Sequence, residues 1–481
     1  MGKKGLAEGC HLGRTAIIAL IIMPVLFSGF ANAATITAES CSYEDVSSAI
    51  DSAESGDTVI VPAGECVWTS SLALTKSVKF IGAGIDQTTI VNGIVNNGVG
   101  DFCIIIRPDN ILDNPYIEVT GLTINANHEG GCISIYGKDD SYAYTNFRIH
   151  HNKLENTADT GDSYMCIRVK GDCFGLIDNN QFVNNYYDFK IYGDDLNSWK
   201  QYPCPSNVGS ANYLYIEDNT STGAEHFILT SGEGARWVYR HNTFDLAKLD
   251  AVWDAHGDTR NNGVVAFEIY ENVGYTSGIQ DPSHPAYRAV DYRGGTGIIY
   301  NNTLEAGTSG VRTFINVREE YGNCTSSQGC VVGPCGDQVN NGYIWNNINS
   351  RDGSIIAVWE GDCCECIEEN RDWWDDAEHS PGGESPSNFN YGPSSERPAI
   401  CSDDDCYWET DKRRLYRCIG ENNWVFIYTP YKYPHPLRSA PFGVGICAEG
   451  QITDECWCEG VRESGYCWHG YYVGESGNCD V

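Results

Sequence analysis

The sequence predicts an all-β chain wound into a right-handed parallel β-helix, a solenoid of short strands stacked coil upon coil. Three observations carry that expectation. A short pattern recurs along the chain: Ile149-His150-His151-Asn152-Lys153-Leu154, then Ile177 with Asn180 and Phe182, Ile216 with Asn219, and Ile269 with Asn272. It continues with Ile299, Asn302 and Leu304 and with Ile344 and Asn347, while Tyr239-Arg240-His241-Asn242-Thr243-Phe244 lacks the isoleucine. Intervals between the asparagines run from 23 to 45 residues, with two successive steps of 30, which fits a coil of three strands joined by loops of variable size. Within these segments apolar residues alternate with period two, as in strands, rather than every ~3.6 residues as in helical repeats.

The recurring asparagine has a structural explanation. It tolerates left-handed backbone at a corner, and stacked amides hydrogen-bond from coil to coil. These residues are therefore not the expected active site.

Residues 1–33 read as an export signal: Lys3, Lys4 and Arg14 precede an apolar run from Ala16 to Phe27, and Ala31-Asn32-Ala33 supplies a small-residue cleavage site. No later stretch approaches the ~18 apolar residues of a membrane span. Of 22 cysteines, all but Cys10 follow the signal. So many thiols point to disulfides in an oxidising, extracellular setting, with zinc as the alternative. The net charge of −34, from 65 acidic and 31 basic side chains, argues against nucleic acid and anionic membranes as partners.

At the start, Tyr43 to Glu54 suits a short helix with Val46, Ala49, Ile50 and Ala53 on one side. Gly56-Asp57 then leads into the strand Thr58-Val59-Ile60-Val61. This stretch, with Pro62-Ala63-Gly64 and Ile81-Gly82-Ala83-Gly84, resembles the opening segment of the pectate-lyase-like β-helix superfamily. The resemblance implies that the helix caps the end of the solenoid. Asp254-Ala255-His256-Gly257, Arg293-Gly294-Gly295-Thr296-Gly297 and Tyr433-Pro434-His435-Pro436-Leu437 resemble a subgroup of secreted bacterial and archaeal β-helix proteins. The superfamily holds lyases, hydrolases, epimerases and binding proteins, so the resemblance bears on fold more than on reaction.

The expected organisation is a signal at 1–33, cap and first coils at 34–100, and β-helix repeats at 101–361. An acidic Cys-containing loop and an extension packing on the solenoid follow at 362–445, then a Cys-rich tail at 446–481. Cys363-Cys364-Glu365-Cys366 and Cys456-Trp457-Cys458 are the tightest clusters. The tail would attach the protein to a cell surface or protect the end of the solenoid.

A second series of strands emerges when segments are aligned on the glycine that follows each. Because side chains alternate, the residues one and three before the glycine share the outward face. One column then reads Tyr136, Lys170, Tyr192, Ser231, His256, Arg293, Arg318, Glu360; the other reads Ser134, Arg168, Lys190, Leu229, Asp254, Asp291, Asn316, Val358. Five cations from a lysine- and arginine-poor chain gather here, which fits an extended anionic partner such as an acidic polysaccharide.

The chemistry expected is β-elimination on a uronic-acid glycan, which needs the substrate carboxylate neutralised, the adjacent proton removed and the leaving oxygen protonated. Arg293 and Arg318 would bind the carboxylate, and His256 would transfer the proton. Asp254, Asp291 and Asn316 would hold a calcium ion, as hard oxygen ligands do. Arg168, Lys170, Lys190, Tyr192 and Glu360 would line the remaining substrate path. Relatives use Arg or Lys as base, so the resemblance leaves Arg293 and His256 interchangeable, and the Trp-Ile-Asp-His motif of the best-known pectate lyases is absent. A glycoside hydrolase using Asp254 and Asp291, and a non-catalytic glycan-binding rod, are the alternatives.

Overall fold

A computed structural model describes residues 33–94, 102–137, 143–157, 165–193, 206–246, 249, 251–257, 263–276, 288–305, 314–318, 320, 339–360, 367–377 and 388–439, with two short strands beyond. The expected signal and both tight cysteine clusters lie outside the described residues.

Three parallel sheets run through the described residues between 35 and 375. The first has twelve strands, from Thr35–Thr37 to Trp373–Asp375; the second has ten, from Gly64–Trp68 to Ile348–Asn349; the third has ten, from Leu72–Leu74 to Val358–Glu360. Each coil gives one strand to each sheet, as Phe147–His150, Lys153–Glu155 and Met165–Lys170 do in turn. Ile149 pairs with Ile177, Ile177 with Ile216, and Ile216 with Tyr239, and the same register continues through Ile269, Ile299 and Ile344. The chain is a parallel β-helix.

The interior is filled by like residues from successive coils. Ile149, Leu154, Ile167, Phe182 and Phe189 are all buried in one continuous core, and each contributes ~1.5–3 kcal/mol by leaving water. At the corner between the first and second sheets the seven asparagines point inward. Each donates Nδ2–H to Oδ1 of the next, at 3.1, 3.0, 3.0, 3.2, 2.9 and 2.8 Å from Asn152 to Asn347. From Asn152 to Asn302 the backbone N–H donates to the same oxygen, so the buried amides of the ladder are satisfied. The left-handed backbone expected of these asparagines falls instead on the residue before each: His151, Asn179, Asp218, His241, Glu271, Asn301 and Asn346 have φ between 51° and 56°. That residue makes the turn and frees the asparagine to enter the core.

The helix Tyr43–Ser52 is N-capped by Ser42, whose hydroxyl accepts from the Asp45 N–H at 3.2 Å. It buries Val46, Ala49 and Ile50 and contacts the strands of the first coil. Disulfides join Cys41 to Cys66 and Cys401 to Cys418, in keeping with an extracellular protein. Cys103, Cys132, Cys166, Cys173 and Cys406 are buried thiols. No helix among the described residues is long and apolar enough to cross a membrane.

The solenoid continues past residue 361, because Trp373–Asp375 pairs with Gly342–Ile344 as a further rung of the first sheet. The segment expected as an acidic loop contributes to a four-stranded sheet of Phe389–Gly392, Cys406–Glu409, Arg414–Cys418 and Trp424–Tyr428. Trp408, Leu415, Tyr428, Tyr431 and Leu437 bury the outer face of the first sheet against Tyr215, Tyr270, Tyr300 and Trp345. Arg240, fully buried, locks this cover down: it meets Glu217 at 2.7 Å and donates to the carbonyls of Tyr431 and Lys432 at 2.8 Å each. With its first sheet covered, the solenoid leaves the outer face of the third sheet to carry the polar ladder.

Candidate active site

On the third sheet the register places Ser134 beside Arg168, Arg168 beside Lys190, Lys190 beside Thr230, and Thr230 beside Asp254. Asp254 lies beside Asp291, Asp291 beside Asn316, and Asn316 beside Trp359. The second column runs Tyr136, Lys170, Tyr192, Gly232. Two rungs differ from expectation. Leu229 and Ser231 pair with Phe189 and Ile191, so Thr230 takes the outward place. Val358 and Glu360 pair with Ile315 and Val317, which removes Glu360 from the column of Arg318. A glycine is not at a fixed distance from the strand end, and a one-residue slip exchanges the two faces.

Asp254 is 1 % exposed and sits at the centre of the site. Its Oδ1 accepts from Arg293 Nε at 3.0 Å and Nη2 at 2.6 Å. Its Oδ2 lies 2.6 Å from His256 Nε2 and accepts from the Thr230 hydroxyl at 3.2 Å. Burial opposes the charge on Asp254, but His256 and Arg293 beside it hold the carboxyl well below the usual range. Burial likewise opposes charge on His256; the Asp254 carboxylate and Glu320 outweigh it and push the imidazole up to about 9. Near neutral pH the ring is a cation with Nε2–H given to Asp254, and Nδ1 lies 3.5 Å from Glu320. Arg293 Nη1 reaches Glu320 at 2.6 Å.

Asp291 is the second buried carboxylate. It accepts from Arg318 Nε and Nη2 at 3.0 Å each, from Asn316 Nδ2 at 2.9 Å and from Arg288 Nη1 at 2.5 Å. Among the described residues nothing meets the remaining guanidinium edges, Nη1 of Arg318 and Nη2 of Arg288. Both residues line a cleft of about 480 Å³.

Aromatic rings also line that cleft. Tyr187, Tyr192, His226 and Phe227 line it, with the Tyr187 and Phe227 rings stacked at 5.8 Å between centroids. Lys190 completes the wall, its ammonium 5.2 Å from the centre of the Tyr192 ring. A flat aromatic face beside hydrogen-bonding cations suits a ring with one apolar face and a carboxylate.

The structure thus brings together Asp254, His256, Asp291, Arg293, Arg318, Lys190 and Tyr192 at one cleft. Arg168 and Lys170 lie on an earlier rung. Arg168 donates to Ser134 at 3.1 Å and stacks 4.5 Å over Phe102, and Lys170 sits 5.9 Å from the Tyr192 ring centre. Sequence reasoning missed Thr230, Arg288, Glu320, Tyr187, His226 and Phe227. Glu320 lies beyond the end of the strand Phe314–Val317, where alternation gives no placement. Arg288 gave no signal, because a register shift between Arg288 and Val290 re-aims it.

The expected calcium ligands do not fit that ion. Every carboxylate oxygen of Asp254 and Asp291 already faces a guanidinium, imidazole or hydroxyl donor, and Asn316 offers its N–H rather than its oxygen to the group. Among the described residues no cluster of three or more His, Cys, Asp or Glu could hold a metal. Arg293 itself is held between two carboxylates, Asp254 and Glu320, at 2.6 Å each.

No family model and no curated protein matches this chain. Among solved structures it is similar to an alginate lyase from Paenibacillus sp. str. FPU-7, with TM-score 0.39, 13% identity, and coverage of 73% of this chain and 96% of that one. It is also similar to ORF18 of Geobacillus virus E2, with TM-score 0.32 and 12% identity over 70% of this chain and 55% of that one. The catalytic domain of a GH87 alpha-1,3-glucanase gives TM-score 0.26 and 12% identity over 72% and 68%. The fold rests on the strand register itself, and no residue role is carried over from these proteins.

Proposed function

We propose that this protein is an extracellular polysaccharide lyase that cleaves uronic-acid-containing glycans by β-elimination. The observation that carries the reading is the imidazolium of His256, fixed through Nε2 by Asp254 in a cleft that also presents arginine edges and an aromatic wall. A uronate ring stacks on the aromatic wall, and its carboxylate takes the outer edges of Arg318 and Arg288. Neutralising that carboxylate acidifies the adjacent C–H. Tyr192, whose hydroxyl meets no partner among the described residues, takes that proton in its phenolate form, becoming the phenol, and gives it up to solvent after turnover. A double bond forms in the ring, the glycosidic C–O bond breaks, and His256 Nδ1 protonates the departing oxygen. Asp254 and Arg293 are positioning residues here: the first holds the imidazole, and the second holds the first.

A hydrolase built on Asp254 and Asp291 needs one carboxylic acid, and the cations around Asp254 oppose that form. The test is incubation of the mature protein with alginate, polygalacturonate and glycosaminoglycans, following ultraviolet absorbance of the unsaturated product together with reducing ends. Both signals should rise, and His256→Gln and Tyr192→Phe should abolish them while binding persists. Reducing ends without absorbance would make the protein a hydrolase; binding without either signal would make it a glycan-binding rod.

A further inference from the structure

A second pocket, of about 180 Å³, lies where the C-terminal sheet meets the corner between the first and second sheets. It is too small for a drug-sized ligand, which takes ~300 Å³ or more. At ~30 Å³ per water it holds the volume of about six waters, room for one pyranose ring. Its lining is of two kinds. Trp345, Trp408 and Tyr391 supply aromatic surface, and Asn301, Asn346, Thr410, Glu271 and Arg413 supply donors and acceptors.

Three features define what would fit. The only charges, Glu271 and Arg413, are paired to each other at 2.9 Å, so the lining favours no net charge. The two amides are fixed, with Asn346 Nδ2 donating to Asn301 Oδ1 at 2.8 Å. Trp345 is fully buried and its indole N–H meets no hydrogen-bond partner among the described residues. Trp237, Trp253 and Trp373 share that condition inside the solenoid core, and Trp345, as closed to solvent as they are, gives the cavity an apolar wall rather than a donor. At the rim Tyr391 is 49 % exposed, an aromatic face held open to solvent.

We infer that this pocket is a non-catalytic saccharide site that takes one neutral pyranose unit, remote from the charged cleft of the third sheet. A neutral sugar offers a C–H face to the open ring of Tyr391 and hydroxyls to the amides and to Thr410. Such a site would hold the chain on a neutral glycan whether or not the charged cleft cuts, so it does not depend on the lyase reading.

The test is ligand-observed NMR and calorimetric titration of the full chain with methyl glucopyranoside, methyl mannopyranoside and methyl galactopyranoside. At least one should bind saturably with a millimolar dissociation constant. Tyr391→Ala and Thr410→Val, both at exposed positions, should weaken it about tenfold or more. His256→Gln, which alters only the other cleft, should leave it unchanged, and turnover of a uronan should be the same in Tyr391→Ala as in the parent. Absence of binding by all three glycosides, or binding that survives both pocket substitutions, would overturn the assignment.

Discussion

Nε2 of His256 lies 2.6 Å from Oδ2 of Asp254, and that contact is the larger of the two that favour the charged ring, Glu320 being the other. The imidazole is pushed up to about 9, above the ordinary value of about 6.5. As the acid, His256 should therefore support turnover below that value, and kcat/KM should fall as pH rises through about 9. In Asp254→Asn the falling limb should move toward the ordinary histidine range, with kcat reduced ~100-fold or more. A rate that instead rises through pH 9 would make His256 the base.

The same contact stabilises the fold. Because the folded value is raised, the stabilisation is fully present below about pH 6.5 and is lost as pH rises through about 9. With the ring 39% exposed, the magnitude is on the order of 1 kcal/mol after solvent screening. The difference in melting temperature between the parent and His256→Gln should shrink over that window.

Arg318 binds Asp291 through Nε and Nη2 and leaves Nη1 toward the cleft. Arg318→Ala should raise KM by about tenfold or more, with a smaller change in kcat, because Arg288 still neutralises Asp291 and Asn316 still donates to it. Arg318→Lys should recover part of the loss. An unchanged KM in Arg318→Ala would place the carboxylate elsewhere.

Chelation separates an ion-pair network from a calcium cage. The donors on Asp254 and Asp291 are all protein cations or hydrogen-bond donors, so exhaustive EDTA treatment should leave both turnover and melting temperature unchanged. Loss of activity restored by calcium would contradict this assignment of the carboxylates.

Asn242 stands in the middle of the amide ladder, donating to the carbonyls of Ile216 and Arg240 at 2.9 and 2.8 Å and accepting from Asn219 N and Nδ2 at 2.8 and 3.0 Å. Asn242→Ala should cost about 3 kcal/mol, since it orphans several buried groups at once. Asn347 ends the ladder as the last acceptor, and Asn347→Ala should cost less. The denaturant midpoints of the two variants measure the difference.

The period-two alternation and the Ile-x-x-Asn repeat made the solenoid legible, because each coil needs the same inward residues at the same corner and the requirement is written locally. The ladder on the third sheet was legible for the same reason, and the grouping of Asp254, His256, Asp291, Arg293 and Arg318 at one cleft follows from it. Where the alignment relied on glycine rather than on alternation, at Thr230 and Trp359, it slipped by one residue.

What only the tertiary structure decided is which group answers which. The sequence contains Asp254, Asp291 and Asn316 as three oxygen donors on adjacent rungs, and as a string they could as well hold calcium. Their partners come from elsewhere: Arg288 re-aimed by a register shift, Glu320 from beyond the strand, and Thr230 from the preceding rung. The aromatic wall of Tyr187, His226 and Phe227 and the sheet that covers Arg240 are likewise products of distant segments meeting. The sequence by itself determined the coil, since alternation and corner chemistry act between neighbours. Charge pairing acts through space, and only the stacked coils say which charges are neighbours.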